Sequence, residues 1–358
     1  MNLLKILFKV YFSEHLKLLI SPKGSDLYPE KISEEVFHDT SAQLPESKIK
    51  ANCGNFTHQP VECWPKPDEL NPCEDMMSWS WLRVSVWIVI LTAIIGNTSV
   101  LTVLSLSRSE TSVPRFLMSH LAFADLCMAL YLLLVAAMDL VSKQTYFNYA
   151  YDWQQGPGCK VAGFLTVFAS QLSLFTLCLL TVERWFTIRH ALYANRLDHK
   201  LASKIMILGW IYALTMATLP LLGLSSYSST SICLPMDIRD IPSIIYILTL
   251  LSAAAIGFFL ICICYTQIYL SLSYKTRHLN NEGSVAQKMT LLVATNFACW
   301  APIAFFSLTA VAGYPLIDVT ESKILLVFIY PINSCANPYL YAILTKQYRK
   351  DLVLLLSR

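Results

Sequence analysis

Asp125 is an acid in apolar company, at the end of Leu121-Ala122-Phe123-Ala124-Asp125. Inside a bilayer, a charge at such a position costs at least about 2.5–3.5 kcal/mol on insertion scales, so partners must offset it. Ser173, Asn333 and Asn337 fall at comparable depth in two other apolar runs. Gathered around Asp125, these groups could hold a sodium ion or a cluster of waters. The alternative is a protonated, hydrogen-bonded carboxylate with no ion. Arg184 and Glu282 offer a second chemistry, an ion pair between two helix ends, against the alternative that Arg184 simply extends to water. If formed, the pair would hold one helix inward until activation breaks it, a two-state element. No nucleophile, base and orienting acid stand together, so no enzyme activity is expected, and neither is a cofactor beyond the possible sodium. His120 and His190 read as polar residues at helix ends.

Long apolar segments must position these groups. The chain has 358 residues, 55% hydrophobic and 14% charged, with a mean hydropathy of +0.50, which suits an integral membrane protein better than a soluble domain. The run from Cys159 to Arg184 would extend roughly 38 Å as a helix, more than the hydrocarbon thickness of about 30 Å. Its ends therefore face different compartments. Seven segments are long enough to span: Trp81 to Ser107, Phe116 to Val141, Cys159 to Thr187, Ile205 to Gly223, Ile241 to Leu270, Val285 to Ala312 and Ile324 to Leu344. Cations collect on one side of them, at Arg108, Arg115, Arg184, Arg189, Arg196, Lys200, Lys204, Lys275, Arg277, Lys288, Lys346, Arg349 and Lys350. The other side offers Lys143, Lys160, Arg239 and Lys323. That asymmetry and the odd number of spans predict an extracellular N-terminus and a cytoplasmic C-terminus.

The fold class expected is all-α, a seven-transmembrane helix bundle. Residues 1–50 are left as an unassigned flexible arm. Residues 51–78 form a mostly irregular extracellular segment carrying Cys53, Cys63, Cys73 and the glycan acceptor Asn55-Phe56-Thr57. Residues 79–344 hold the spans. In residues 345–358, Lys346, Arg349 and Lys350 are set against Leu352, Leu355 and Leu356, as in a short amphipathic helix lying on membrane lipid. Cys159 and Cys233 are the two cysteines in the outer loops, and a bridge between them would close a loop worth on the order of 4 kcal/mol. Pro302 and Pro338 each remove a backbone hydrogen bond and bend the sixth and seventh spans. Asn97-Thr98-Ser99 fits the glycan rule but lies in an apolar run and is discounted.

Taken in order, Asp125, Glu183-Arg184-Trp185, Cys299-Trp300-Ala301-Pro302 and Asn337-Pro338-Tyr339-Leu340-Tyr341, with Cys159 and Cys233, resemble the rhodopsin-like G-protein-coupled receptors. A more specific resemblance, over about Cys53 to Arg358, is to the glycoprotein hormone receptors or an invertebrate relative of them. It is carried by Asn71-Pro72-Cys73-Glu74-Asp75, Val113-Pro114-Arg115-Phe116-Leu117-Met118, Asp152-Trp153-Gln154 with Gly156-Pro157-Gly158-Cys159, Ser231-Ile232-Cys233-Leu234-Pro235-Met236-Asp237, and Tyr330-Pro331 with Asn333-Ser334-Cys335-Ala336-Asn337-Pro338. The absence of a mid-span proline in the fifth span fits the same branch.

The resemblance implies a plasma-membrane receptor whose leucine-rich ectodomain captures a cystine-knot glycoprotein hormone. Its helices would activate a heterotrimeric G protein of the stimulatory type and raise cyclic AMP. It implies that Asn71, Pro72, Cys73, Glu74 and Asp75 act as a tethered internal agonist. The activation switch would comprise Glu183, Arg184, Tyr265, Glu282, Asn296, Trp300, Pro302, Pro338 and Tyr341. No leucine-rich repeats precede Cys53, so the chain is expected to be the transducing half of such a receptor, with Cys53, Cys63 and Cys73 lacking their usual partners. Leu70 stands where the branch has phenylalanine, Asn296 where it has aspartate and Trp300 where it has methionine. The rival class is a transporter or ion-translocating protein, which would show inverted repeats or a polar path; none is apparent beyond the cluster at Asp125. A retinal protein would need a lysine in the seventh span, and none falls between Lys323 and Lys346. A nucleic-acid partner is not expected.

Overall fold

The computed structural model describes residues 75–77, 79–107, 112–189, 198–235, 240–276, 299, 324–344 and 346–357. Among the described residues there is no strand, and helices follow one another with short connections. The first span is Ser80–Leu106, the second Val113–Val141, the third Pro157–Arg189, the fourth His199–Thr218 and the fifth Ile241–Thr276. All five are long and apolar enough to cross a bilayer. The seventh opens as a stretch of π-helix, Leu325–Ile329, continues as Tyr330–Leu344, and is followed by a C-terminal helix, Lys346–Leu356. The π-helical stretch immediately precedes Pro331, whose missing N–H interrupts the ordinary helical ladder there. Of the sixth span, Cys299 alone lies among the described residues.

The helices outrun their predicted ends because a helix need not stop where the hydrocarbon does. The second span starts at Val113, with Pro114 in its first turn, and the fourth starts at His199 rather than Ile205. Lys200 and Lys204 ride on that extra turn with their side chains exposed, so their charges stay wet. The outer end of the fourth span tightens to a 3-10 turn, Leu219–Leu222, and closes on Gly223 in the left-handed region, φ 89°. Between the second and third spans sits a short outer helix, Ala150–Gln155, which apolar-run length does not reveal.

The third span is the hub, packed against the second, fourth and fifth, while the first packs against the second and seventh. Without a hydrophobic drive between helices in lipid, such packing depends on close approach at small residues. At Gly96 an added Cβ would meet Pro338 Cγ at 2.6 Å, so the first span lies directly against the proline of the seventh. Tyr339 adds a hydroxyl bond to Thr92 O at 3.1 Å. Because a proline ring cannot swing aside, Gly96→Val is expected to destabilise the fold by about 1–3 kcal/mol. Thermal unfolding in detergent checks it; an unchanged midpoint would contradict the close contact.

Outside, Cys159 and Cys233 are joined as predicted, with their Cα atoms 5.3 Å apart. Cys233 itself takes a left-handed backbone, φ 58°. The loop it anchors is held over the helix mouth by Trp153 Nε1 donating to Ser231 O at 2.9 Å and Tyr131 hydroxyl donating to Ile232 O at 3.0 Å. Gly163 lets that loop descend, since a Cβ there would stand 2.8 Å from Cys233 O. Inside, the C-terminal helix is fastened by buried Asp351, which accepts from Ser107 Oγ at 2.8 Å and pairs with Arg115 at 3.2 Å. Leu352 and Leu355 pack on the core while Val353, Leu354, Arg349 and Lys350 are exposed, the two-sided pattern expected of a helix lying on lipid.

Candidate functional site

Asp125 is fully buried, and the third and seventh spans converge on it. Asn337 Nδ2 donates to its Oδ2 at 2.8 Å and Ser173 Oγ to its Oδ1 at 3.3 Å. Asn97 joins the cluster from the first span, donating Nδ2 to Ser334 O at 3.0 Å and to Ala93 O at 2.9 Å. Thus one carboxylate and its neighbours tie four spans at a common depth. Beside them lies a small cavity lined by Met128, Ser170, Ser173, Asn333 and Ser334 among others, with about 20 Å³ open to the centre of a water-sized sphere. That is room for roughly one water molecule. The amide oxygens of Asn97, Asn333 and Asn337 are buried with no hydrogen-bond partner among the described residues.

At the inner end of the third span, Glu183 is buried and Arg184 is partly exposed. Arg184 Nε stands 3.5 Å from Glu183 Oε2, and Thr187 Oγ1 donates to Glu183 Oε1 at 3.2 Å. Tyr265 of the fifth span faces Thr181 and Arg184. Next to them, Trp185 Nε1 donates to Gln267 Oε1 at 2.7 Å, fastening the third span to the fifth.

At the outer end a second ionic centre appears. Arg83 of the first span donates Nε to the Asp139 Oδ2 of the second span, and its Nη2 reaches Asp139 Oδ1 at 3.2 Å and Asp75 Oδ1 at 3.1 Å. Asp139 also accepts the backbone N–H of Met77 at 2.8 Å, and Asp75 that of Gln144 at 3.0 Å.

Residues 96–341 match the family described as 7 transmembrane receptor (rhodopsin family), about two thirds of the chain and the whole stretch from the first-span glycine to Tyr341. The chain belongs to that receptor family. Its fold agrees with the crystal structure of squid rhodopsin, at a TM-score of 0.60 over 76% of this chain and 84% of that one, with 20% sequence identity. Within the family the receptor is similar to the mouse (Mus musculus) lutropin-choriogonadotropic hormone receptor, 52% identical over 303 residues, 83% of this chain and 43% of that protein. The rat (Rattus norvegicus) follicle-stimulating hormone receptor is 50% identical over 300 residues, again 83% and 43%. The human (Homo sapiens) lutropin-choriogonadotropic hormone receptor is 50% identical over 325 residues, 89% and 46%. The receptor spans less than half the length of these curated relatives. It is a multi-pass membrane protein of the glycoprotein-hormone-receptor type, and the transporter alternative finds no support.

Of the residues predicted from sequence, the receptor brings Asp125, Ser173 and Asn337 into direct contact, with Asn333 on the adjoining cavity wall. Glu183 and Arg184 stand together at the inner end, with Tyr265 close enough for Arg184 to act on it electrostatically, and Pro338 lies against Gly96. Glu282, Asn296, Trp300, Pro302, Asn55, Asn71, Pro72, Cys73 and Glu74 lie outside the described residues, as does the side chain of Tyr341. His120 is not a helix-end residue. It sits within the second span and accepts a hydrogen bond from Trp210 Nε1 of the fourth at 3.2 Å, so its polarity is spent between helices. Sequence reasoning missed Asn97, Arg83, Asp139 and Asp351. Asp139 and Arg83 carried a usable signal: an acid inside the end of a predicted span, and a cation on the side where cations are scarce.

Proposed function

We propose that this receptor, set in the plasma membrane with its N-terminus outside, relays a glycoprotein-hormone signal to a heterotrimeric G protein of the stimulatory type and so raises cyclic AMP. What carries the proposal is the identity of about half the residues with the lutropin and follicle-stimulating hormone receptors across the spans. The geometry supports it physically. Buried polar contacts run down the third span, from the bridged Cys159 through Ser173 and Asp125 to Glu183 and Arg184. A change at the outer loop therefore acts on the same rod that ends at the inner face. In this scheme Asn71 to Asp75 serve as the tethered agonist, and Arg184 and Tyr265, with Glu282, Asn296, Trp300, Pro302, Pro338 and Tyr341, form the switch. Joined to a leucine-rich ectodomain and expressed in cells, the chain is expected to raise cyclic AMP when the matching hormone is added. An unresponsive, surface-expressed protein would contradict the proposal.

The cluster at Asp125 fits an allosteric sodium ion. Its donor set is all oxygen, as a hard cation requires, and three buried amide oxygens nearby have no hydrogen-bond partner among the described residues. Asp125, Ser173, Asn333 and Asn337 would hold the ion, which would supply the positive charge that balances the buried carboxylate. Sodium at about five times its dissociation constant stabilises by about 1 kcal/mol, a rise of roughly 1–2 °C in melting temperature for a chain of this length. Replacing potassium by sodium is expected to give that rise in the parent and none in Asp125→Asn. Equal melting of the parent in both salts would leave a carboxylate held by hydrogen bonds alone.

A further inference from the structure

The ionic centre at the outer end plays no part in the switch just described. An arginine near a helix end ordinarily extends to water. Arg83 does not: its side chain is 14% exposed and turned toward Asp139, whose side chain is fully buried. Asp139 is satisfied by Arg83 and by the N–H of Met77, so the same carboxylate grips both the first span and the residues that lead into it. Those residues are not loosely draped. Met76 is 0% exposed and Met77 1%, both within the apolar core. Ahead of them, Asp75 takes the free side of the Arg83 guanidinium and the N–H of Gln144, a non-glycine residue held at φ 62° in the loop beyond the second span. A side chain in that backbone region is strained, and here the strain aims an N–H at Asp75.

We propose that Arg83 and Asp139 are positioning residues that seat Asp75–Met77 at the outer mouth, so that any displacement of the preceding segment is delivered to the outer ends of the first and second spans. Reading Asn71 to Asp75 as an internal agonist governs what the displacement signals; the seat itself is a matter of geometry. The two methionines supply the apolar grip and the fork of Arg83 fixes direction, since a guanidinium can satisfy two carboxylates in a fixed plane where an ammonium cannot. Asp75 is the part of the seat that can be removed without burying an orphan charge. Its side chain is 28% exposed, and Arg83 keeps Asp139 when it is gone.

The test is hydrogen–deuterium exchange on the full chain in lipid nanodiscs, comparing the parent with Asp75→Ala and with the paired variant Arg83→Met, Asp139→Leu, which removes both buried charges together. Exchange in peptides covering residues 75–82 and 136–145 is expected to quicken about tenfold or more in both variants, with the inner half of the second span unchanged. Parent-rate exchange in both peptides of both variants would overturn the seat. Should the paired variant fail to reach the membrane, Asp75→Ala decides alone. Cyclic AMP output at equal surface density is read in parallel. Quickened exchange with unaltered output keeps the seat and discards the internal-agonist reading of the segment; quickened exchange with altered output supports both.

Discussion

Arg184→Ala is expected to abolish the cyclic AMP rise while leaving the receptor at the cell surface. The side chain is 28% exposed, and its one described acid is the adjacent Glu183, so its loss leaves a carboxylate that still accepts from Thr187. A partly solvated pair of that kind contributes at most about 1 kcal/mol to stability. The signalling loss is of another order, because Arg184 acts electrostatically on Tyr265 where the third and fifth spans come together at their inner ends. Surface labelling and a cyclic AMP assay on the same cells check both halves. A full response in the variant would remove Arg184 from the mechanism.

Cys233→Ser should act in the opposite way, through folding. The bridge joins residues 74 apart in sequence, and by chain entropy it constrains the unfolded state by about 4 kcal/mol. Against a typical stability of about 5–15 kcal/mol, that loss empties much of the folded population. It also frees the outer loop from the third span, against which Gly163 lets it lie. Surface receptor is expected to fall about tenfold or more. Cys159→Ser should match it, and the double variant should be no worse than either. Normal surface density of either single variant would show that hydrogen bonds from Tyr131 and Trp153 suffice to hold the loop.

The spans were legible because apolar run length is a property of the sequence alone, and Asp125 because its burial cost shows in its immediate neighbours. The outer centre was not. Arg83 and Asp139 each carried a signal, but they lie 56 residues apart in sequence, and only the packing of the first span on the second shows that they pair. Asn97 was hidden differently: a triplet resembling a glycan acceptor masked an amide whose N–H the seventh span's Ser334 O accepts. Asp351 looked like one more charge in a polar tail until Ser107 and Arg115 closed on it. Helix ends were misjudged where the helix continues beyond the apolar run, as at His199.

The fifth span, Ile241–Thr276, has 36 residues and no proline past its first turn, so nothing in its ladder absorbs bending. Such a rod is about 54 Å long, far beyond the roughly 30 Å of hydrocarbon, and a good part of it must project into water. If it pivots near its midpoint, a rotation of only about 5° sweeps either tip through about 2.4 Å. Tyr265 and Gln267 lie part-way between the midpoint and the C-terminal tip of this lever, beside Arg184 and Trp185, where the same rotation moves them by about 1 Å. An angular change too slight to disturb packing at the pivot thus becomes, at Gln267, about the distance that separates a made hydrogen bond from a broken one.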